Sequence, residues 1–269
     1  MKPCFTPASL AAAFAALALV SAASAQTIIL QSDFNAYSTA GNADPGAPWN
    51  QVFDSDNGSA EIDVVADASN WFGSGTGNQI LRLLDTTNTA GLRLAAHSLA
   101  STANVVTLTF RFYEPSGVNG TPLNVRLGGG SNDGDADVAF NIGFDSGNTN
   151  SGSYSLNTVN TVTIVANNST SMVNYHFAGG PQTVNSLSYD LYINGVLRRD
   201  NFGKGGTFAD GSALTALRFT TFSGGFSQDF YIDDVLLVSG APIPEPSSAA
   251  ALLGLAAGGF AATRRRRYA

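Results

Sequence analysis

An antiparallel two-sheet β-sandwich is the fold this sequence predicts, and three observations predict it. Between Gln26 and Gly240 the apolar residues recur at every second position in short runs rich in β-branched and aromatic side chains, which is the period of a half-buried strand. Gly, Asn, Ser and Asp, the residues that turn a chain, separate the runs. No stretch of that segment has the apolar period of a helix, so a βαβ arrangement is excluded. Two sheets packed face to face remain, with a closed barrel as the other solution.

The elements follow in chain order. Residues 1–25 read as a secretory signal peptide: Lys2 is the one charge, Leu10 to Val20 form an apolar core, and Ala23, Ser24 and Ala25 make a small-residue cleavage site before Gln26. The only cysteine, Cys4, lies inside it. The mature chain therefore has no thiol for a disulfide, a nucleophile or a thiolate metal site. Residues 26–240 are the sandwich domain, 215 residues with 19 Asp and Glu against 8 Lys and Arg, a formal charge of −11. That length suffices for one sizeable core. That charge argues against nucleic acid as a partner.

Within the domain the clearest strands are "NVVTLTFRFYE", "PLNVRLG", "VNTVTIVAN", "LSYDLYIN", "ALTALRFTTF" and "DFYIDDVLLV". In the first, Val106, Leu108, Phe110 and Phe112 share one face while Thr107, Thr109 and Arg111 share the other. In "YINGVL", Asn194 and Gly195 supply the positive φ angles of a type I′ hairpin. No repeat of fixed period is visible, which argues against a propeller or a β-helix.

Candidate functional residues in the body are few. "AEIDVVAD" places Glu61 and Asp63 where laminarinase-like β-glucanases, which are also sandwiches, carry the first two acids of a Glu-x-Asp-x-Glu strand motif, but Val65 and Ala66 stand where the third is needed. Asp67 would lie about 20 Å from Glu61 along a regular strand, against the roughly 5 to 5.5 Å of a retaining pair. A solvated strand face is expected there instead. "SNDGDADVAF" sets Asp133, Asp135 and Asp137 two apart beside Asn132 and Gly134, an oxygen-rich turn that resembles part of a calcium loop. The twelfth-position Glu and the flanking helices of an EF-hand are absent. What remains is a Ca²⁺ site completed by residues elsewhere, or a solvated loop. His97 and His176 have no partner at ligand spacing, "GSGTG" at residues 73–77 is a connection between strands, and Trp49 and Trp71 are read as core in preference to sugar-stacking aromatics.

After the domain, residues 241–246 form a linker in which Pro242, Pro244 and Pro246 exclude strand or helix. Residues 247–263 are 17 uncharged residues, about 25 Å as a helix, near the lower limit for crossing a bilayer. Arg264, Arg265, Arg266 and Arg267 would stop translocation and hold residues 264–269 in the cytoplasm. Pro244, Glu245 and Pro246, the apolar span and the terminal arginines together resemble the tail of the PEP-CTERM proteins. That resemblance implies an exosortase substrate of a Gram-negative bacterium that makes extracellular polysaccharide. The chain would be anchored transiently in the inner membrane, then processed near the triplet and delivered to the cell surface or matrix.

"YDLYINGVLRRD" and "DFYIDDVLLV" are similar to the late strands of concanavalin A-like and laminin G-like sandwiches, and the galactose-binding jelly rolls end similarly. The expectation is an exported sandwich that binds glycan or serves as matrix without catalysis, with extracellular polysaccharide as its partner. A divergent glycan-cleaving enzyme is the alternative.

Overall fold

The computed structural model describes residues 26–38, 45–54, 60–75, 77–86, 91–117, 122–131, 134–149, 152–221 and 228–242. The signal segment, the Pro-Glu-Pro triplet, the apolar span, the arginine cluster and Asp133 lie outside the described residues. Thr27–Pro242 form one compact unit.

Among the described residues the chain forms strands and a single 3₁₀ turn, Asp135–Asp137. The strands are β1 (Ile28–Ser32), β2 (Gln51–Phe53), β3 (Ala60–Ala66), β4 (Gln79–Asp85), β5 (Arg93–His97), β6 (Val105–Tyr113), β7 (Leu123–Gly128), β8 (Val138–Asp145), β9 (Asn148–Thr149), β10 (Gly152–Ser153), β11 (Asn160–Asn167), β12 (Val173–Phe177), β13 (Gly180–Val184), β14 (Ser188–Ile193), β15 (Val196–Gly203), β16 (Ala216–Thr220) and β17 (Gln228–Ser239). Sheet A runs β15-β14-β11-β6-β17-β4-β3, with β1 pairing the second half of β17; sheet B runs β10-β9-β8-β7-β16-β5-β2. Every strand pairing is antiparallel. The fold is the predicted β-sandwich.

Alternation decides which side chains meet between the sheets. Val106, Leu108, Phe110 and Phe112 of β6 all enter the central core, with Leu123, Val125 and Leu127 of β7 and Leu217 and Phe219 of β16. Phe110 touches Phe144 of β8 edge-on at 6.0 Å and Phe219 at 5.5 Å, so it bridges the two sheets directly. Edge-to-face contacts at these separations add to the burial of each ring. Trp49 belongs to the same core, 3% exposed, with its Nε1 donating to Ser32 Oγ at 3.3 Å. The Asn194 and Gly195 turn joins β14 to β15 with φ of 52° and 74° and Ile193 paired to Val196, the hairpin that its two residues predict.

The hairpin β12–β13 makes a third layer. It lies over the outer face of β11 and β14, where Tyr175 and Val184 pack on Val165 and Tyr192. Tyr175 Oη donates to Asp190 Oδ2 at 2.5 Å and meets Tyr192 Oη at 2.7 Å, while Asn201 N donates to Asp190 Oδ1 at 2.6 Å. A buried carboxylate is tolerable when its oxygens are bonded in this way.

Candidate functional site

The outer face of sheet B carries an ordered set of polar side chains. Because Leu94, Ala96, Leu217, Phe219, Val125 and Ile142 face the core, their neighbours one position along each strand face outward. The registers align these neighbours in two rungs across five strands. The first is Gln51, Ala95, Arg218, Arg126 and Asn141, and the second is Phe53, Arg93, Thr220, Asn124 and Gly143. No carboxylate stands on either rung, while three of the eight basic residues of the 26–240 segment do.

The middle of this face is buried and its margins are open. Arg218 is 0% exposed, and Arg126, Thr220 and Asn124 are buried beside it, whereas Asn141, Gln51 and Arg93 are half-buried and Phe53 is 59% exposed. Arg218 Nη2 donates to the carbonyls of Gly129 and Gly130, 2.7 Å each. Arg126 Nε donates to Asn141 Oδ1 at 3.2 Å. Arg93 lies 5.9 Å from the centre of the exposed Phe53 ring. Arginines directly opposite on adjacent strands, as Arg126 and Arg218 are, repel each other. Two buried side-chain oxygens, Gln51 Oε1 and Thr220 Oγ1, have no hydrogen-bond partner among the described residues. Buried polar atoms left without partners are costly. A ligand reaches this face only at its margin, where the Arg93 guanidinium can pair with a carboxylate and the Asn141 amide with hydroxyls.

The residues singled out from the sequence fall elsewhere. Asp135 and Asp137 form the 3₁₀ turn between β7 and β8, with Asp135 exposed and the Asp137 carboxyl tucked against Gly130. The Asp135 carbonyl accepts from Thr207 N at 2.7 Å, and that of Asp137 from Gly129 N at 2.9 Å. The turn thus joins two loops through backbone atoms. Among the described residues no group of three His, Cys, Asp or Glu side chains could hold a metal ion. His176 is exposed, while His97 is half-buried on the outer face of β5, two residues beyond Ala95.

Glu61 and Asp63 are a correction. Both were expected on a solvated face, and both are buried on the outer side of β3. Asp54 Oδ2 accepts from Ile62 N at 2.9 Å. Burial first, and then the Glu61 carboxyl hydrogen-bonded to it, push Asp63 up to about 6. Two carboxyls that share a hydrogen bond on one strand face cannot stand on either side of a glycosidic bond.

Trp71 is the other. It is 36% exposed, stacked outside sheet A and not in the core. Adjacent Asp233 and Asp234 in β17 differ: Asp233 is buried, accepting from Asn78 Nδ2 at 3.0 Å, and is raised to about 6 by burial, which outweighs the nearby Arg111. Asp234 is the extra residue of a β-bulge, at φ 51° and largely exposed.

Among the described residues no helix is long and apolar enough to cross a membrane. No family model matches the chain, and no curated protein is similar to it. Among solved structures, a sialidase is 11% identical at TM-score 0.46 over 71% of this chain, which spans only 17% of the sialidase chain. An alginate lyase is 14% identical at TM-score 0.46, covering 80% of this chain and 98% of its own. A carbohydrate esterase of a Shiga toxin-encoding bacteriophage is 14% identical at TM-score 0.45, covering 80% and 99%. Likenesses this slight carry no argument about what the chain does.

Proposed function

We propose that this is an exported surface or matrix protein that binds extracellular polysaccharide without cleaving it, through the outer face of sheet B. One observation carries the reading: two aligned rungs of arginine and amide side chains, free of carboxylates, on a domain whose formal charge is −11. Sugars with carboxylate groups are the ligands such a face fits at its open margin, because the Arg93 guanidinium pairs with carboxylates while the Asn141 amide meets ring hydroxyls. Phe53, beside Arg93 at the open margin, offers a ring on which a pyranose can lie. The sandwich in this reading is a jelly roll of the concanavalin A-like type.

The delivery half of the proposal rests on the tail. Residues 1–25 direct export, residues 247–263 with Arg264 to Arg267 park the chain in the inner membrane, and Pro244, Glu245 and Pro246 are read by an exosortase. Replacing the four arginines with serine should release unprocessed protein outward, whereas Glu245→Ala should leave a membrane-bound precursor with its C-terminus uncut. Processing of both variants like the parent would overturn the sorting assignment.

The competing reading is a glycan-cleaving enzyme, and the observation that favours it is the His97 imidazole on the same face as the arginines. A glycan array probed with the full chain, with and without calcium, separates the two when coupled to a reducing-end assay. The binding reading expects retention of an acidic polysaccharide of unchanged length and weaker retention by Arg93→Gln. Shortening of the polysaccharide, lost in His97→Ala, would replace it with the enzyme.

A further inference from the structure

The outer face of sheet A holds a feature that the reading above leaves unused. The β3–β4 connection folds back over this face and is tightly held. Asp67 accepts from Trp71 N and Phe72 N at 2.9 Å each, Asp67 N donates to Asn78 O at 2.9 Å, and Asn70 Oδ1 accepts from Gly75 N at 2.9 Å. Arg111 Nη1 donates to the Phe72 carbonyl at 2.6 Å while its guanidinium lies 5.2 Å from the Phe72 ring. Phe72 is thereby buried against Ile80 and Tyr113. Trp71 stays on top.

Its indole lies flat on Tyr113, with centroids 4.3 Å apart and planes at 10°, and meets Tyr231 edge-on at 4.8 Å. Among the described residues no third ring stacks on the indole. Beside this pair, Tyr231 Oη donates to Asp229 Oδ2 at 3.0 Å, and the Arg82 fork reaches both oxygens of Asp229 at 2.8 and 3.2 Å. Arg82 and Asp229 are both partly open to solvent. The arrangement is a backed aromatic plate, edged by a phenol, a guanidinium and a carboxylate.

We infer that this shelf is a second glycan site, on the opposite sheet from the first, and that it takes the face of a neutral pyranose. The apolar C–H face of a sugar ring covers an open indole face, and the planar polar groups at the edge are placed for its hydroxyls. The bonded loop means little ordering remains to be done on binding. Charge decides the class of sugar. The outer face around the shelf carries Glu61, Asp63, Asp229, Asp233 and Asp234 against Arg82 and Arg111, so it repels the acidic sugars that sheet B suits. With one site on each sheet, a single chain ties an acidic strand to a neutral one.

The test uses the full chain in a detergent without a sugar headgroup, titrated with cellohexaose, mannohexaose and xylohexaose, and with a hexamannuronate as the acidic comparator. Trp49 and Trp71 are the only tryptophans, and Trp49 is in the core, so a change in emission or acrylamide quenching on binding reports Trp71. At least one neutral hexasaccharide should shift the emission to the blue and protect it from quenching, and the hexamannuronate should not. By calorimetry, Trp71→Ala should weaken that sugar roughly tenfold, Trp71→Tyr no more than about threefold, since a stacking ring remains. Arg93→Gln should leave this isotherm unchanged, so failure here and failure of the sheet B site are separable. Absence of any neutral-sugar response, a response that survives in both Trp71 variants at parental affinity, or equal protection by the hexamannuronate would overturn the inference.

Discussion

The two outer faces of the sandwich alternate in sequence in the same way and meet different fates. On sheet A the outward residues include Val165, Tyr192, Ile80 and Tyr113, and the chain folds its own hairpin β12–β13 and its own 67–78 connection over them. On sheet B the outward residues of the middle strands are Arg126, Asn124, Arg218 and Thr220. An apolar outer face is buried by the protein for stability. The polar middle of sheet B is buried too, at a cost in unmatched oxygens, and it is the open margin at Arg93, Asn141 and Phe53 that is left for a ligand.

This contrast can be broken most severely at the cover of sheet A. Tyr175→Ala removes a buried ring and strips Asp190 of its hydroxyl partner, so a loss of about 3 to 5 kcal/mol is expected in denaturant unfolding. On sheet B, Arg218→Ala should cost less, about 2 to 3 kcal/mol, because the Gly129 and Gly130 carbonyls lose two charge-assisted bonds. Equal and small losses for both would erase the distinction between a cover and a binding floor.

The faces should also differ in acid. Asp63 and Asp233 on sheet A are raised to about 6 from 3.8. A carboxyl whose folded value exceeds its unfolded one costs stability above both. The cost is relieved as pH falls through the folded value, until the unfolded group also protonates. Glu114 and Asp190 are raised too, by burial first, and act in the same direction. The melting temperature should therefore rise from pH 7 to pH 5, and Asp63→Asn should flatten part of the rise. A fall over that window would contradict the burial assigned to these groups. The smallest stability effect belongs to the margin of sheet B: Asn141→Ala should change unfolding by no more than about 1 kcal/mol while weakening glycan binding severalfold.

Much of this was legible in the residues and some was not. Alternation in "PLNVRLG" and "ALTALRFTTF" separates Asn124 and Arg126, and Arg218 and Thr220, from their core-facing neighbours. It does not say that β16 lies between β7 and β5, and the rungs exist only through that pairing. Strand order across a sandwich depends on contacts distant in sequence, which local period does not encode. The Asn194 and Gly195 turn was legible because its chemistry is local. Trp71 was misread for the opposite reason. It stands in a Gly- and Asn-rich turn, and Asp67 accepts the Trp71 and Phe72 amides and thereby holds the loop outside the sheet, a contact the local pattern does not show. Glu61 and Asp63 look solvated by alternation alone, and that period does not show how closely the two carboxyls meet each other and Asp54.

Titration calorimetry with a hexamannuronate, at low and at physiological salt, tests the central claim most directly. The parent and an Arg93→Gln, Asn141→Ala double variant are compared after matched melting curves establish that both are folded. The account predicts measurable binding that weakens with salt and a loss of about tenfold or more in the double variant, as two charged or polar contacts at the margin are removed. A double variant that binds as tightly as the parent, or a parent that binds no acidic oligosaccharide, would contradict it.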